Sequence, residues 1–201
     1  KTQWTYQNPK THKTESYPLP SLRGKFQLNN AAAAITLVNN FQTYLSVSHT
    51  QICRGLENAV VIGRLQKLAE SPELIVDVAH NPQSAEALGT YLADNHAEGK
   101  TIALFSALTD KDLQGILDPV SEYFDEWHIV QLDGPRAYQN DQLCAHLLAL
   151  GIEKPLKSHT NFKTALKSLQ NELKSQDRVV AFGSFLVVSG VMQCSDASEK
   201  E

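Results

Sequence analysis

Two textures of hydrophobic patterning divide the chain. Over the first twenty residues apolar and polar positions alternate. Trp4-Thr5-Tyr6 and Glu15-Ser16-Tyr17-Pro18-Leu19 flank a polar turn at Asn8-Pro9-Lys10, which predicts two short strands. The alanine run Ala31-Ala32-Ala33-Ala34, preceded by Asn29 and Asn30, predicts a helix to about Tyr44, and a second helical stretch covers Ser48 to Leu56. From Val60 onward, short apolar runs alternate with amphipathic stretches. Strands are predicted at 63–68, 74–78, 101–107, 127–132 and 178–183. Helices are predicted at 84–95, 112–124, 141–150, 161–174 and 185–192. Strands that alternate with helices at this spacing make an α/β fold with a mostly parallel sheet and helices on both faces.

Such a sheet binds ligands beyond the carboxyl ends of its strands. Four polar clusters fall there: Asp77 to His80, Ser106 to Lys111, Asp133 to Arg136, and Gly183-Ser184. Asp77-Val78-Ala79-His80-Asn81-Pro82 follows a buried strand. It offers a carboxylate, an imidazole suited to proton transfer or carboxylate binding, and an Asn-Pro helix start. The same residue types also make an ordinary strand-to-helix turn. Arg64 can clamp a phosphate or carboxylate, and Lys111 can reach a phosphoryl group. Ser184 adds a hydroxyl to the anion-binding start of a helix. Each of these also has a plain structural reading, as a solvated side chain or a cap. Gly99-Lys100-Thr101 imitates the end of a phosphate loop but lacks the earlier glycine, since residue 94 is Asp, and it follows a helix rather than a strand.

Composition narrows the picture. The 201 residues are 42% hydrophobic and 20% charged with a net charge of -4, so no basic field favours nucleic acid or an anionic membrane. There is no run of 18 apolar residues, and the start at Lys1 lacks both an apolar signal core and a Met. It reads as a cut through a longer protein. Cys53, Cys144 and Cys194 form no CxxC pair, and the seven histidines are scattered, which points to a reducing cytoplasm and to no metal site on this chain.

Six segments in one order carry a resemblance. They are Leu19-Pro20-Ser21-Leu22-Arg23-Gly24-Lys25-Phe26-Gln27-Leu28-Asn29-Asn30-Ala31-Ala32, Gly63-Arg64-Leu65-Gln66, Asp77 to Pro82, Thr109-Asp110-Lys111-Asp112, Gly134-Pro135-Arg136 and Gly183-Ser184-Phe185. In these the chain resembles the Mur ligase superfamily, and specifically its folate branch, the bifunctional dihydrofolate synthase/folylpolyglutamate synthases. The resemblance implies that residues 1–60 end a central ATPase domain, that 61–194 form a C-terminal Rossmann-like domain, and that 195–201 are a disordered tail. It implies an ATP-dependent ligase that adds L-glutamate to dihydropteroate or a (tetrahydro)folate through an acyl phosphate. The phosphate loop and magnesium ligands would lie outside this chain, which would be inactive alone. By the same resemblance Asn30, Arg64 and Asp77 contact ATP, His80 and Lys111 serve catalysis, and His80 and Ser184 meet the substrate. Thr109 stands where the family often has His. The implied enzyme is a cytoplasmic monomer without nucleic-acid or membrane partners. A murein amino-acid ligase and a non-catalytic nucleotide-binding module are the alternatives.

Overall fold

A computed structural model describes residues 3–198. The chain divides into two compact units, Lys1–Ile62 and Gly63–Glu201.

The first unit is small. Strands β1 (Gln3–Gln7) and β2 (Thr14–Pro18) pair antiparallel, with Trp4 opposite Tyr17 and Tyr6 opposite Glu15. Asn8 closes the hairpin because its Oδ1 accepts the amides of Lys10 and Thr11. Helix α1 spans Gln27–Asn40 and α2 spans His49–Asn58. Ser48 caps α2 reciprocally with Gln51. By contrast, α1 starts two residues ahead of the Asn29 cap expected from sequence and has no side-chain cap. Tyr6, Tyr17, Ala31, Ile35 and Leu56 form the core of this unit, with Trp4 packed against it.

The second unit is a six-stranded sheet in the order β3-β4-β8-β5-β6-β7. Its strands are β3 (Gln66–Glu70), β4 (Glu73–Val76), β5 (Thr101–Phe105), β6 (Glu126–Val130), β7 (Leu156–His159) and β8 (Arg178–Phe182). Only β3 runs antiparallel, paired with β4; the other pairings are parallel. The apolar runs that predicted strands at 101 and 178 become β5 and β8, every residue of which is buried.

Alternation assigns the two faces. Val76, Ile102, Leu104, Val130, Val179 and Ala181 pack with helices α6 (Phe162–Glu172) and α7 (Phe185–Ser198). On the opposite face Phe105, Phe124, Trp127 and Phe182 form an aromatic cluster with ring centroids 4.9–6.1 Å apart. Burying each such ring contributes roughly 2–3 kcal/mol. Right-handed crossovers put α3 (Pro82–Asp94), α4 (Leu113–Leu117) and α5 (Asn140–Ala149) on that face.

Four details differ from the sequence expectation. The first strand begins at Gln66 rather than Gly63, because Gly63 and Leu65 adopt positive φ values of 68° and 45°. The helix expected over 112–124 stops at Leu117, since Pro119 lacks an amide and disfavours helix before it; a 3-10 turn follows at Ser121–Tyr123. Strand β7 is an unforeseen edge strand whose four residues, Leu-Lys-Ser-His, are too few and too polar to stand out. Finally, α7 carries on through Ser195 to Ser198 in place of a disordered tail, and residues 199–201 lie outside the described residues.

Candidate functional site

Strand β8 lies between β4 and β5, and α7 leaves it toward the face opposite α3 and α4. That is a topological switch point, where the helices part and the strand ends open. The segments after β4, β8 and β5 are neighbours here: 77–80, 183–184 and 106–111.

Asp77 is 4% exposed, and both of its oxygens are engaged. Oδ2 accepts the Leu65 amide at 2.8 Å and Oδ1 accepts the Ala79 amide at 2.7 Å. The Val78 amide donates to the Gly63 carbonyl at 2.8 Å. The carboxylate thus pins the Gly63–Leu65 turn onto the end of β4 and holds Arg64 beside it. Burial pushes the Asp77 carboxyl above its ordinary value, opposed by these two amides and by the nearby charges of Arg64 and His80. Arg64 itself is half-buried and makes no hydrogen bond or ion pair among the described residues.

Asn81 caps α3, accepting the Ser84 amide at 2.9 Å, and Pro82 opens the helix as expected. Ser84 Oγ in turn accepts the His80 amide at 3.1 Å. The imidazole of His80 is held differently: its Nδ1 is buried without a partner, and its ring lies against Phe185, 6.1 Å between centroids.

Gly183 has φ +112°, and a Cβ there would sit 2.2 Å from the Ser106 carbonyl oxygen, so glycine is required where β8 passes β5. Ser184, buried at 5% exposure, caps α7 by accepting the Val187 amide at 3.2 Å. The Ser106 hydroxyl is fully buried and has no hydrogen-bond partner among the described residues.

Lys111 pairs with Asp110 at 3.2 Å, and Arg136 approaches the same carboxylate at 4.0 Å. The hydrogen bond from Lys111 holds the Asp110 carboxyl below its usual value. The Thr109 amide donates to the Arg136 carbonyl at 2.8 Å, and Leu108 bridges Ala137, so the loops after β5 and β6 are tied together. Asp112 caps α4.

The structure therefore collects Arg64, Asp77, His80 and Ser184 around the ends of β4 and β8, with Lys111 at the end of β5. Asn30 belongs to the first unit, exposed on α1, where its amide donates to Gln27 at 2.9 Å. Lys100, from the rejected Gly-Lys-Thr segment, precedes β5 at the opposite edge of the sheet. Sequence reasoning gave Phe185 no role beyond its place in the Gly183-Ser184-Phe185 segment, whereas in the structure its ring lies against His80. Phe185 stands outside the buried stripe of Val187, Val188 and Val191 and is 64% exposed.

One group of side chains has metal-like spacing among the described residues: Glu126, His128 and Glu172, with ligand atoms within 4.8 Å of one another. It lies between β6 and α6, not at these strand ends. The cation its carboxylates hold is the ammonium of Lys157, 2.7 Å from Glu126 and paired also with Glu172.

Residues 63–185 match the Mur ligase glutamate ligase domain. The chain is 34% identical over 183 residues to the dihydrofolate synthase/folylpolyglutamate synthase of Escherichia coli (strain K12), covering 91% of this chain and 40% of that protein. The same-named protein of Haemophilus influenzae is 32% identical over 213 residues, 92% of this chain and 45% of that protein. The chain thus spans less than half the length of these relatives. A solved structure of E. coli FolC in complex with DHPP and ADP has a TM-score of 0.81 and 34% identity, covering 94% of this chain and 43% of that one. A bifunctional folylpolyglutamate synthase/dihydrofolate synthase with Mn, AMPPNP and L-glutamate bound gives 0.78 and 34%, covering 91% and 42%. No helix among the described residues is long and apolar enough to cross a membrane.

Proposed function

Because the chain belongs to the Mur ligase family, matching its glutamate ligase domain, we propose that it is the C-terminal portion of a cytoplasmic, monomeric ATP-dependent ligase that joins L-glutamate to dihydropteroate or to a (tetrahydro)folate. The observation that carries this reading is 34% identity to a dihydrofolate synthase/folylpolyglutamate synthase along 91% of the chain. Related structures described with DHPP, with ATP analogues and with L-glutamate supply the substrate classes.

The chemistry is acyl activation. A carboxylate oxygen of the pterin substrate attacks the γ-phosphorus of ATP, giving an acyl phosphate and ADP. The glutamate amine then attacks the acyl carbon, an amide forms, inorganic phosphate leaves, and the amine gives up a proton. Positioning and charge stabilisation do most of the work. Arg64, whose guanidinium has no hydrogen bond or ion pair among the described residues, neutralises phosphate. Asp77 holds the Arg64 turn in place and faces the nucleotide, and Asn30 adds a further nucleotide contact. Ser184 and the first amides of α7 receive a carboxylate of glutamate. His80 lies beside the acyl phosphate and the incoming amine, where an imidazole accepts the released proton. Lys111, drawn from Asp110, meets the phosphoryl oxygens.

These strand ends do not fit a magnesium ion. Asp77 gives both oxygens to backbone amides and Asp110 faces two cations. We place the metal ligands and the phosphate loop in sequence that this chain does not contain, and the chain alone is then inactive.

The test measures ADP release by the full-length protein. Release that requires both dihydropteroate or a folate and L-glutamate supports the proposal. Release only with a UDP-linked murein precursor rejects it, as does glutamate-dependent ATP hydrolysis by the 201-residue chain alone.

A further inference from the structure

We propose that Phe185 is a positioning residue for His80: its ring fixes the direction of the imidazole and so decides which ring nitrogen faces the site. The proposal rests on the reading of His80 as a member of that site, and on four observations.

The backbones that carry the two rings are both held. Asp77 Oδ1 accepts the Ala79 amide at 2.7 Å and Ser84 Oγ accepts the His80 amide at 3.1 Å. On the other side Gly183 is locked against Ser106, and Ser184 caps α7 through the Val187 amide at 3.2 Å. What remains free is rotation about the His80 side-chain bonds.

No hydrogen bond restrains that rotation, since neither ring nitrogen of His80 has a partner among the described residues and Nδ1 is buried. A histidine used for proton transfer usually has one nitrogen fixed by a hydrogen bond, which sets the tautomer and leaves the other to act. Here the fixing is done by packing. The aromatic ring lying against His80 is that of Phe185, at 6.1 Å and tilted by 44°, inside the roughly 4.5–7 Å range of attractive aromatic pairs.

Phe185 does not build the core. It is 64% exposed, whereas Val187, Val188 and Val191 of the same helix are buried. A large apolar side chain at the first position of a helix, open to water on one side and laid against an imidazole on the other, is accounted for by that contact. With Nδ1 turned inward, Nε2 is the ring nitrogen left to meet a ligand. Without the Phe185 ring the imidazole gains alternative rotamers, and water reaches Nδ1.

The experiment begins on the 201-residue chain, labelled at histidine and followed by NMR, with the His80 ring signals assigned by their loss in His80→Gln. In wild type these protons should show the ring-current shift of a neighbouring aromatic and Overhauser contacts to Phe185. Phe185→Ala should abolish both and Phe185→Tyr should retain both. Because Phe185 is largely exposed, neither variant should alter the melting curve. His80 signals that are unmoved in Phe185→Ala overturn the proposal. In the full-length ligase, Phe185→Ala should lower kcat roughly tenfold or more, with a smaller change in KM for glutamate and recovery in Phe185→Tyr. A change confined to KM would make Phe185 a direct substrate contact and also overturns the proposal. If the full-length protein has no folate ligase activity at all, the proposed function fails, while the NMR comparison still decides the role of Phe185.

Discussion

The two edges of the six-stranded sheet use the same device for different ends. At the amino-terminal edge Asp177 is 6% exposed, and its two oxygens accept the amides of Lys100 and Lys174, each at 2.8 Å. At the carboxyl-terminal edge Asp77 accepts two amides in the same way. Each buried carboxylate ties a connecting loop to a strand end. The edges part company in what surrounds the carboxylate. Next to Asp177, Arg178 donates to the Asn95 carbonyl at 2.5 Å and to Thr101 Oγ1 at 3.0 Å, with its Nε left without a partner among the described residues, and Asp125 accepts the Thr101 amide at 2.8 Å. Around Asp77, the Ser106 hydroxyl and His80 Nδ1 have no hydrogen-bond partner and Arg64 makes no hydrogen bond or ion pair among the described residues. A buried charge is therefore poor evidence of a site. Several such unpaired groups gathered at neighbouring strand ends are better evidence, because each buried polar group left without a partner costs stability.

Substitutions at the two edges should separate activity from stability. The largest effect is expected for His80→Ala in the full-length ligase, which should lose roughly a hundredfold in kcat with an unchanged melting curve. Gly183→Ala comes next. It forces a Cβ against the Ser106 carbonyl at a positive φ, so it should cost about 3 kcal/mol in denaturant unfolding and shift the α7 start. Asp177→Ala should be smaller again, about 1–3 kcal/mol for two amides left without an acceptor, with kcat retained well below the melting temperature. The comparison breaks if Asp177→Ala depresses kcat as far as His80→Ala does.

Much of this was legible in the sequence, and the exceptions share a cause. The runs Thr101–Phe105 and Arg178–Phe182 announce buried parallel strands because neither face meets water. Asn81-Pro82 announces a helix start because cap chemistry is local. The chemistry of the site was legible only as residue types at strand ends, since its pairings are not local. Asp77 reaches back twelve residues to Leu65, and His80, which follows β4, meets Phe185, which follows the neighbouring β8. Asp77 illustrates the cost: its spacing gave no sign that its two oxygens accept the amides of Leu65 and Ala79. Strand β7 escaped notice for a related reason. Its Lys157 and His159 look like surface residues, and only their neighbours on β6 and α6 make them part of a network.

That network gives the mildest test, because its charged groups pair with one another although it contains two histidines. His128 is fully buried. Its Nε2 lies 3.2 Å from Glu126 Oε1, so Nε2 carries the proton and donates, and Nδ1 is left to accept from His159 Nε2 at 3.0 Å. Lys157 bridges Glu126 and Glu172, and Ser168 donates to Glu172 at 2.9 Å. Burial lowers the His128 pKa against the pull of Glu126; burial, then His128 and Lys157, lower that of His159. A folded value below the unfolded one means that the network stabilises the fold fully above the ordinary histidine pKa, about 6.5. That contribution is lost as pH falls through the lowered folded values. Glu126 remains ionised across this window: burial would raise its pKa, but hydrogen bonds from Lys157 and His128 outweigh it. Glu172 is likewise held down, by Lys157 and Ser168. Lys157 is raised by both carboxylates and titrates only at high pH. The melting temperature should thus be flat from pH 8 to 7 and fall below about 6.5. His159→Gln, which keeps a donor for His128 Nδ1, should flatten that fall, and an unchanged slope would take the histidines out of it. Because the charged groups here pair with one another, the same substitution should leave kcat at pH 8 where it was, which is what separates this cluster from the one at His80.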